Sequence, residues 1–443
     1  MGKTSHKRMI LSVVLISYFL ILLSNSVIFT GIVNIQKDLN LNQIVLSWLS
    51  NSYALTFGGL LLLAGKFGDV YSRKLIFMTG VGVFGIASLF AGYALNGTFM
   101  IIARAFQGIG AALIAPTSLA LLLENFTGSE RDRAIALYGA TAGVGASVGL
   151  VLGGFFASVW TWRIGFLINF PIALGLIYLT ARFVTQQRVE RQHHIDWLGG
   201  VLSIAGMALL LYAVSNSSLV FFLLSIILLL LFIYHQNFIA NPVMPLRLFQ
   251  DKERVGAYLS RFVYMGAMMS FWFYMPQLLQ NDLGWSPLWV GFGFFPLTIV
   301  MYLVSMQLPK ITARLSNQRT AHAGIALTLV GLLGLSFYQH QLGYFIGIAC
   351  PMLLIGGGQA MVLSPLTLSG VTRTFSQDAS AASSVVNTVH QLGGAVGLAL
   401  VALLIHQDSY QVFRFDHAMW WNTIMVFLAL VISLLLIKPN TRI

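Results

Sequence analysis

The amino-acid sequence predicts an all-α protein that crosses a membrane many times, and three observations lead to this fold class. Hydrophobic residues make up 57% of the 443 residues, charged residues only 9%, and the mean hydropathy is +0.82. Apolar runs of about 20 residues, each long enough to cross roughly 30 Å of hydrocarbon, recur along the whole chain. The polar stretches between them are too short for a separate soluble domain.

Hydropathy predicts fourteen spans, and an even number places both termini on the same side of the membrane. The predicted spans lie near residues 9–33, 46–64, 75–95, 99–123, 134–158, 162–184, 197–214, 217–237, 255–279, 287–309, 321–337, 344–369, 380–405 and 418–437. If the N-terminus is cytoplasmic, most lysines and arginines fall in cytoplasmic loops, and only Lys37, Arg163 and Arg414 fall outside. This bias predicts that both termini are cytoplasmic. The net charge of +12 follows from the topology, so no nucleic-acid partner is expected.

The loop after the second span, GKFGDVYSRK, combines glycines with the acid Asp69 and the base Arg73. Such a loop can hold two helix ends together by charge-assisted hydrogen bonds in one conformation and release them in another. A related loop, PKITARLSNQR, follows the tenth span about 245 residues later, which indicates an internal duplication. We therefore expect two six-helix bundles, residues 1–190 and 241–443, separated by an apolar transmembrane hairpin at 191–240.

Glycines recur every four residues in the predicted fifth span, at Gly145, Gly149 and Gly153. This spacing places them on one face of a helix, and a helix is expected because a backbone in hydrocarbon must satisfy its own hydrogen bonds. Two interpretations stay open. The stripe is either a site of close helix packing, or a hinge or sliding seam on which the two halves of a transporter seal.

Few ionisable side chains fall within the predicted spans. Arg104 lies in the fourth span, where a charge needs a partner or a water-filled cavity, and polar groups of the first span such as Asn25 are the expected partners. Arg261, in the ninth span, either extends toward the membrane surface or faces a cavity. His390, near the centre of the thirteenth span, either carries a proton or is a neutral packing residue. Glu124, at the inner end of the fourth span, either takes up a proton or is an interfacial carboxylate.

Several segments together resemble a known family. GKFGDVYSRK is similar to the loop signature of the major facilitator superfamily, ARAFQGIGAA to the fourth-span signature of its drug–proton antiporters, and the glycine stripe to their fifth-span antiporter motif. WTWRIGFLINFP, DWLGG, PVMPLRLF and NTVHQLGGAVG resemble the branch of these antiporters with fourteen spans. The resemblance covers nearly the whole chain. It implies proton-coupled export of drugs by alternating access around a cavity at the membrane midplane.

The chain departs from this family pattern at positions that bear on proton coupling. Ser24 stands where the first span of the family usually has an aspartate, and Leu150 replaces the proline that usually follows Gly149. No aspartate or glutamate lies clearly inside a span, although an embedded carboxylate is the usual proton carrier. The candidate groups for proton coupling and gating are Asp69, Arg73, Arg104, Glu124 and His390.

The absence of a buried acid also bears on the substrate. A hydrophobic cation is normally matched by such an acid, so the sequence favours neutral, zwitterionic or weakly cationic drugs, or recognition by aromatic faces. Candidate substrate-binding residues are polar or aromatic side chains in the spans of both halves, and each has ordinary packing as its alternative. They are Tyr18, Asn25, Phe29, Tyr53, Tyr138, Phe262, Trp272, Tyr274 and Asn387.

The sequence thus predicts a proton-coupled secondary transporter that exports small amphipathic compounds across the bacterial plasma membrane. One alternative is uptake or facilitated transport of a nutrient, and another is a non-transporting membrane sensor or lipid-handling protein. The sequence has no G-x-x-x-x-G-K-[ST] loop, so ATP is not the expected energy source, and its single cysteine, Cys350, excludes a cysteine metal cluster. We expect no enzymatic activity, no cofactor, and a monomer whose partners are the substrate, protons and the lipid bilayer.

Overall fold

The structure, a computed structural model, describes residues 3–185, 195–375, 378–406 and 415–438. All regular secondary structure in these residues is helical. In chain order the α-helices are α1 (Lys3–Asp38), α2 (Gln43–Val70), α3 (Arg73–Gly92), α4 (Gly97–Asn125), α5 (Gly128–Val159), α6 (Trp162–Leu167), α7 (Asn169–Phe183), α8 (Trp197–Asn216), α9 (Leu219–Phe238), α10 (Lys252–Asn281), α11 (Pro287–Gly293), α12 (Phe295–Leu315), α13 (Asn317–Ser336), α14 (Cys350–Gly370), α15 (Ala379–His406) and α16 (Phe415–Leu436). A π-helical turn, Phe345–Ala349, leads into α14.

Polar caps and a proline explain where several helices begin. Asn42 and Asn96 accept hydrogen bonds from backbone N–H groups in the first turns of α2 and α4, at 2.8 and 2.9 Å. Asp251 does the same for α10, where the N–H of Glu253 donates at 2.9 Å. These side chains satisfy donors that a helix leaves open at its N-terminus. Pro287 begins α11, where its missing N–H costs no hydrogen bond.

Twelve helical segments in the described residues are long and apolar enough to cross a membrane. They are α1 to α4, α6 with α7, α8, α9, α11 with α12, α13, the π-helical turn with α14, α15 and α16. Two of the composite segments are interrupted, one at Ile168 and one at Phe294, each inside a single predicted span. The predicted all-α, multi-pass architecture is therefore confirmed.

The predicted count of fourteen spans is not reached, because α5 and α10 are not among the twelve segments. Within the described residues, α5 contributes only a shorter apolar stretch, Gly145–Val159. Helix α10 is 30 residues long, but Arg254, Arg261 and several tyrosine and glutamine side chains lower its hydropathy. Both helices are thus long enough to span a bilayer, while their composition keeps them below the apolarity of the other twelve.

The chain divides into two compact units. Helices α1 to α7, the first part of α8 and most of α11 belong to unit 1, and the remaining helices belong to unit 2. In unit 1 the apolar core includes fully buried side chains of α1 and α3 such as Val14, Phe77 and Phe84. The ranges of unit 1 are Met1–Ile204, Ile239–Val243 and Trp285–Phe292, and those of unit 2 are Ala205–Phe238, Met244–Gly284 and Gly293–Ile443.

One close glycine contact between helices recurs at matching positions of the two units. In unit 1 a Cβ atom on Gly153 of α5 would lie 3.0 Å from the Cα of Val27 in α1. In unit 2 a Cβ on Gly397 of α15 would lie 2.2 Å from the Cα of Gly266 in α10. Gly153 and Gly397 are 244 residues apart, close to the separation of the two related loops. The repeated contact agrees with the expected internal duplication.

The glycine stripe of α5 packs against α1 of the same unit. Cβ atoms built on Gly145, Gly149 and Gly153 would come within 2.7–2.8 Å of side-chain atoms of α1, among them the Oγ of Ser26 and the Oγ1 of Thr30. The stripe thus faces α1 inside unit 1, and its role as a hinge or as a sliding seam stays a prediction. Close helix packing is the interpretation that describes this contact.

Candidate functional site

A buried guanidinium group, that of Arg104 in α4, organises the polar centre of unit 1. Its Nε donates to the carbonyl oxygen of Leu49 in α2 at 2.9 Å, and its Nη2 donates to the Oδ1 of Asn25 in α1 at 2.8 Å. Its Nη1 donates to the Oε1 of Gln107 at 2.8 Å and to the Oγ of Ser24 at 3.3 Å. Arg104 is only 1% exposed, so these bonds replace the hydration that a charge loses on burial.

All of these acceptors are neutral oxygen atoms. The guanidinium also lies over the ring of Tyr53, 4.3 Å from its centroid, which adds a cation–π contact. Gln107 extends the network by donating to the Oγ of Ser88 in α3 at 2.7 Å, and Asn169 of α7 donates to the same oxygen at 3.4 Å. Asn25 is the partner that the sequence predicted for Arg104. The network joins α1, α2, α3, α4 and α7, and its geometry suits it to hold these helices together.

A second buried guanidinium group, that of Arg261 in α10, lies in unit 2. Its Nη1 donates to the carbonyl oxygen of Leu363 at 2.9 Å and to the Oγ1 of Thr367 at 2.7 Å, both in α14. Its Nη2 lies 3.2 Å from the Nδ1 of His390 in α15. Arg261 is 6% exposed, so of the two locations expected from the sequence it occupies an interior one.

The contact between Arg261 and His390 assigns the tautomer of the histidine. An arginine only donates hydrogen bonds, so the Nδ1 of His390 must accept, and the ring is neutral with its proton on Nε2. A proton added at Nδ1 would remove the acceptor and would place two cations in contact. The sequence singled out both residues but not their contact, because 129 residues separate them.

At the loop between α2 and α3, an ion pair joins Arg73 of α3 to Glu124 of α4. Lys74 donates to the carbonyl oxygen of Ala181 in α7 at 2.7 Å. The sequence led us to expect Asp69 as the partner of Arg73, but the side chain of Asp69 lies outside the described residues. Glu124 is therefore tied to the start of α3 by a charge-assisted hydrogen bond.

Unit 2 has an ionic cluster of its own at the start of α10. The Nε of Arg373 donates to Asp251 at 2.8 Å, and its Nη2 donates to Glu253 at 2.9 Å. The hydrogen bonds from Arg373 hold the pKa of Asp251 below its usual range. Sequence reasoning missed this cluster, although an aspartate before the first apolar turn of α10 is a helix-start signal that was available.

The candidate substrate residues of unit 1 fall into two groups. Asn25 and Tyr53 contact Arg104, so their polar or aromatic surfaces already have a partner. Tyr18 of α1 and Tyr138 of α5 stack on each other, with ring centroids 4.4 Å apart and an interplanar angle of 20°. Phe29 is half-buried on α1.

The candidates in unit 2 are spread more widely. Tyr274 is fully buried, with its ring against that of Phe273, and Trp272 stacks on Phe294 with centroids 4.9 Å apart. The backbone of Phe262 lies against Gly393 of α15, where a Cβ would come 2.2 Å from the Phe262 carbonyl oxygen. Asn387 is exposed on α15, three residues before His390. Two of these four residues therefore lie close along the chain to the Arg261–His390 pair: Phe262 directly follows Arg261 in α10, and Asn387 lies one turn before His390 in α15.

Many apolar helices, broken composite spans and buried polar clusters with an internal repeat define a multi-pass membrane transporter of helical fold. The profile of the Major Facilitator Superfamily matches residues 14–398 and 257–442. The chain belongs to this superfamily. It is accordingly a transporter and not an enzyme.

Curated relatives align over most of the chain. The cephamycin export protein CmcT of Amycolatopsis lactamdurans is 32% identical over 416 residues, which cover 90% of this chain and 85% of the relative. The puromycin resistance protein pur8 of Streptomyces alboniger is 31% identical over 404 residues, which cover 88% of this chain and 80% of the relative. The multidrug efflux pump LfrA of Mycolicibacterium smegmatis is 28% identical over an alignment that covers 89% of this chain and 80% of the relative.

Solved structures share the fold at low sequence identity. The nucleoside transporter NupG superimposes with a TM-score of 0.73 at 10% identity, covering 97% of this chain and all of that one. The human organic anion transporter MFSD10 superimposes with a TM-score of 0.63 at 13% identity, and the match covers 96% of this chain and 99% of that one. These similarities concern the fold alone.

Proposed function

We propose that this transporter exports small amphipathic drugs and other toxic compounds across the bacterial plasma membrane by alternating access, driven by protons. The names of the relatives support the direction of transport and the substrate class, since they describe an antibiotic export protein, an antibiotic resistance protein and a multidrug efflux pump. The lack of a Walker-type phosphate loop supports an ion gradient as the energy source. We expect the protein to act as a monomer.

The proposal includes fourteen spans with both termini in the cytoplasm. Helices α5 and α10 have 32 and 30 residues, and at 1.5 Å per residue such helices exceed the roughly 30 Å of a hydrocarbon core. The distribution of basic residues between loops supports the orientation. In this organisation the segments 1–190 and 241–443 form two bundles, which precede and follow the hairpin 191–240 in the chain.

Proton coupling is assigned to His390, and its contact with Arg261 is the observation that carries the assignment. The neutral ring accepts from Arg261, and the protonated ring cannot. Arg261 is the charged group in contact with the ring, while Thr367 and the Leu363 carbonyl hold the other side of the guanidinium. Protonation therefore favours a state in which α10 and α15 separate at this point, and a ligand or proton that prefers one state shifts the balance between states.

Other residues have supporting roles in this proposal. Arg73 and Glu124, together with Asp69, gate the inner end of unit 1, and Arg104 couples α1 to α4 without titrating. Gly149 and its neighbours in the stripe give α5 its freedom to move on α1. The substrate contacts the aromatic and polar residues named from the sequence.

Dye transport in proteoliposomes tests the proposal. Wild-type protein should move an amphipathic dye against its gradient when a proton gradient is imposed, and collapse of the gradient should stop this movement. His390→Gln should abolish the proton-driven component, because glutamine cannot take up a proton. His322→Gln is the matched control, since His322 lies in α13 and contacts the carbonyl oxygen of Ser433. Dye movement in the uptake direction, or full proton-driven export by His390→Gln, contradicts the proposal.

A further inference from the structure

The two buried guanidinium groups differ in the edges that remain open. A guanidinium presents one edge formed by Nε and Nη2, which matches the two oxygens of a carboxylate. In Arg104 both atoms of this edge are engaged, Nε by the Leu49 carbonyl and Nη2 by Asn25. Arg104 therefore has no free edge for a ligand.

Arg261 is held from the opposite side. Leu363 and Thr367 both accept from its Nη1. Its Nε is buried and has no hydrogen-bond partner in the part of the chain that the structure describes. Its Nη2 contacts only the Nδ1 of His390, at 3.2 Å. On the Nε–Nη2 edge only Nη2 thus has a partner among the described residues, and a buried donor without an acceptor is costly unless a ligand satisfies it.

We propose that Arg261 binds a carboxylate group of the transported molecule through Nε and Nη2, and that this carboxylate displaces the ring of His390. The inference rests on the proposed export function and narrows its substrates to amphipathic acids, where the sequence had favoured neutral, zwitterionic or weakly cationic drugs. His390 and Thr367 are half-buried, so the guanidinium becomes reachable when the ring rotates away. Asn387 is exposed one turn before His390 on the same helix.

Charge favours the same ligand. Among the described residues, the recorded partners of Arg261 include no carboxylate, so a buried cation is left with neutral acceptors only. A bound carboxylate supplies the missing negative charge in a site where water does not screen the attraction. An anion that leaves the cell also moves with the inside-negative membrane potential.

Equilibrium binding to the full-length protein in lipid nanodiscs tests the inference. The probes are dansyl-phenylalanine and its methyl ester, which share one apolar body and differ in the carboxylate. Wild-type protein should bind the acid about tenfold more tightly than the ester, in line with the strength of a bidentate charged pair. Arg261→Lys keeps the charge but loses the paired N–H groups of the guanidinium, so it should lose most of this preference. Arg261→Gln should lose all of it. Arg314→Gln removes the same charge from an exposed position on α12 and should leave the preference intact.

His390→Ala provides a second test if Arg261→Gln does not fold. The alanine leaves the Nε–Nη2 edge unoccupied, so the acid should bind several-fold more tightly while the ester is unaffected. Equal binding of acid and ester by the wild type overturns the inference, and so does unchanged or weaker binding of the acid by His390→Ala. The measurement needs no proton gradient. Loss of proton-driven export with an intact acid preference therefore counts against the proposed function alone, and the reverse result counts against this site alone.

Discussion

Arg104 shows how a membrane interior can hold a charge without an acid. Its guanidinium donates four hydrogen bonds, one to a backbone carbonyl and three to the side chains of polar residues, and the ring of Tyr53 covers its face. Ser24, which occupies the position where the family usually has an aspartate, accepts a hydrogen bond but cannot exchange a proton at physiological pH. The network is thus fixed in charge, which is why the proposed proton coupling is assigned to His390 instead.

We predict that Arg104→Lys lowers the thermal stability of the purified protein. An ammonium group is a compact donor that cannot reach Leu49, Asn25 and Gln107 together, and each buried acceptor left without a donor costs roughly 1–3 kcal/mol. A fluorescence-based melting measurement in detergent checks this, with Arg314→Lys as the control at an exposed position. An unchanged melting temperature for Arg104→Lys would mean that the hydrogen bonds to Arg104 contribute little.

We predict a pH-dependent effect of Asp251→Asn. The pKa of Asp251 is lowered in the folded protein, mainly by the hydrogen bonds from Arg373. The ion pair therefore contributes fully above the unfolded pKa of about 3.9, and its contribution is lost as the pH falls through the lower folded value. Asp251→Asn should melt below the wild type at pH 7, and the difference should shrink as the pH falls below about 4.

The asparagine keeps the helix cap, so the Asp251→Asn comparison isolates the charge. Arg373→Gln should produce a similar pH profile, and the double variant should melt little below either single variant if the two side chains act as a pair. A difference between wild type and Asp251→Asn that stays constant from pH 7 to pH 3 argues against the pair.

Within unit 1, α5 and α1 approach so closely that glycine is required at their contact. At Gly153 the nearest obstacles include the backbone of Val27, with its Cα at 3.0 Å and its N at 3.1 Å from an added Cβ. At Gly149 the nearest atom is the Oγ of Ser26, at 2.7 Å. A side-chain atom can be removed by substitution and a backbone atom cannot, so the two positions should respond differently.

We predict that Gly149→Ala and Gly153→Ala each destabilise the protein by about 1–3 kcal/mol, the usual cost of overpacking. Adding Ser26→Ala should restore part of the stability of Gly149→Ala and none of that of Gly153→Ala. Gly139→Ala is the control on the same helix, because a Cβ there meets nothing within 4 Å. Melting temperatures of all five variants check this, and equal rescue of both glycine variants by Ser26→Ala would contradict the geometry.

The α5–α1 contact also bears on transport. If α5 must move on α1 during the cycle, Gly149→Val should insert and fold but fail to transport dye in proteoliposomes. A fully active Gly149→Val variant would leave the stripe with a packing role only.

At the scale of the whole molecule, the duplication gives the two units similar helix contacts and different polar centres. Gly149 and Gly393 stand at equivalent contacts, with α1 and α10 respectively. Yet the guanidinium of Arg104 in unit 1 donates to neutral oxygen atoms, whereas that of Arg261 in unit 2 contacts the imidazole ring of His390. The helix contact thus repeats between the units, while the partners of their buried guanidinium groups differ.

We predict that α5 and α10 both cross the membrane. In a Cys350→Ser background, Thr127→Cys should be shielded from an impermeant maleimide added outside intact cells, and Trp160→Cys should be labelled. On the two sides of α10, Asn241→Cys should likewise be shielded and Ser286→Cys should be labelled. All four native residues are exposed. Thr127, Trp160 and Ser286 lie next to helix ends, and Asn241 lies in the connection after α9. The same accessibility for both members of a pair would show that the helix between them does not span.

The sequence by itself determined the all-α, multi-pass class and the superfamily resemblance, because long apolar runs in hydrocarbon can satisfy their backbone hydrogen bonds only as helices. It also identified Arg104 and its partner Asn25, since an embedded charge must find polar groups nearby. Only the tertiary structure decided that the glycine stripe faces α1, that Arg73 pairs with Glu124, and that Arg261 meets His390. A hydrogen bond requires two atoms within about 3 Å, and for residues 129 apart in the chain that distance is set by the packing of α10 against α15.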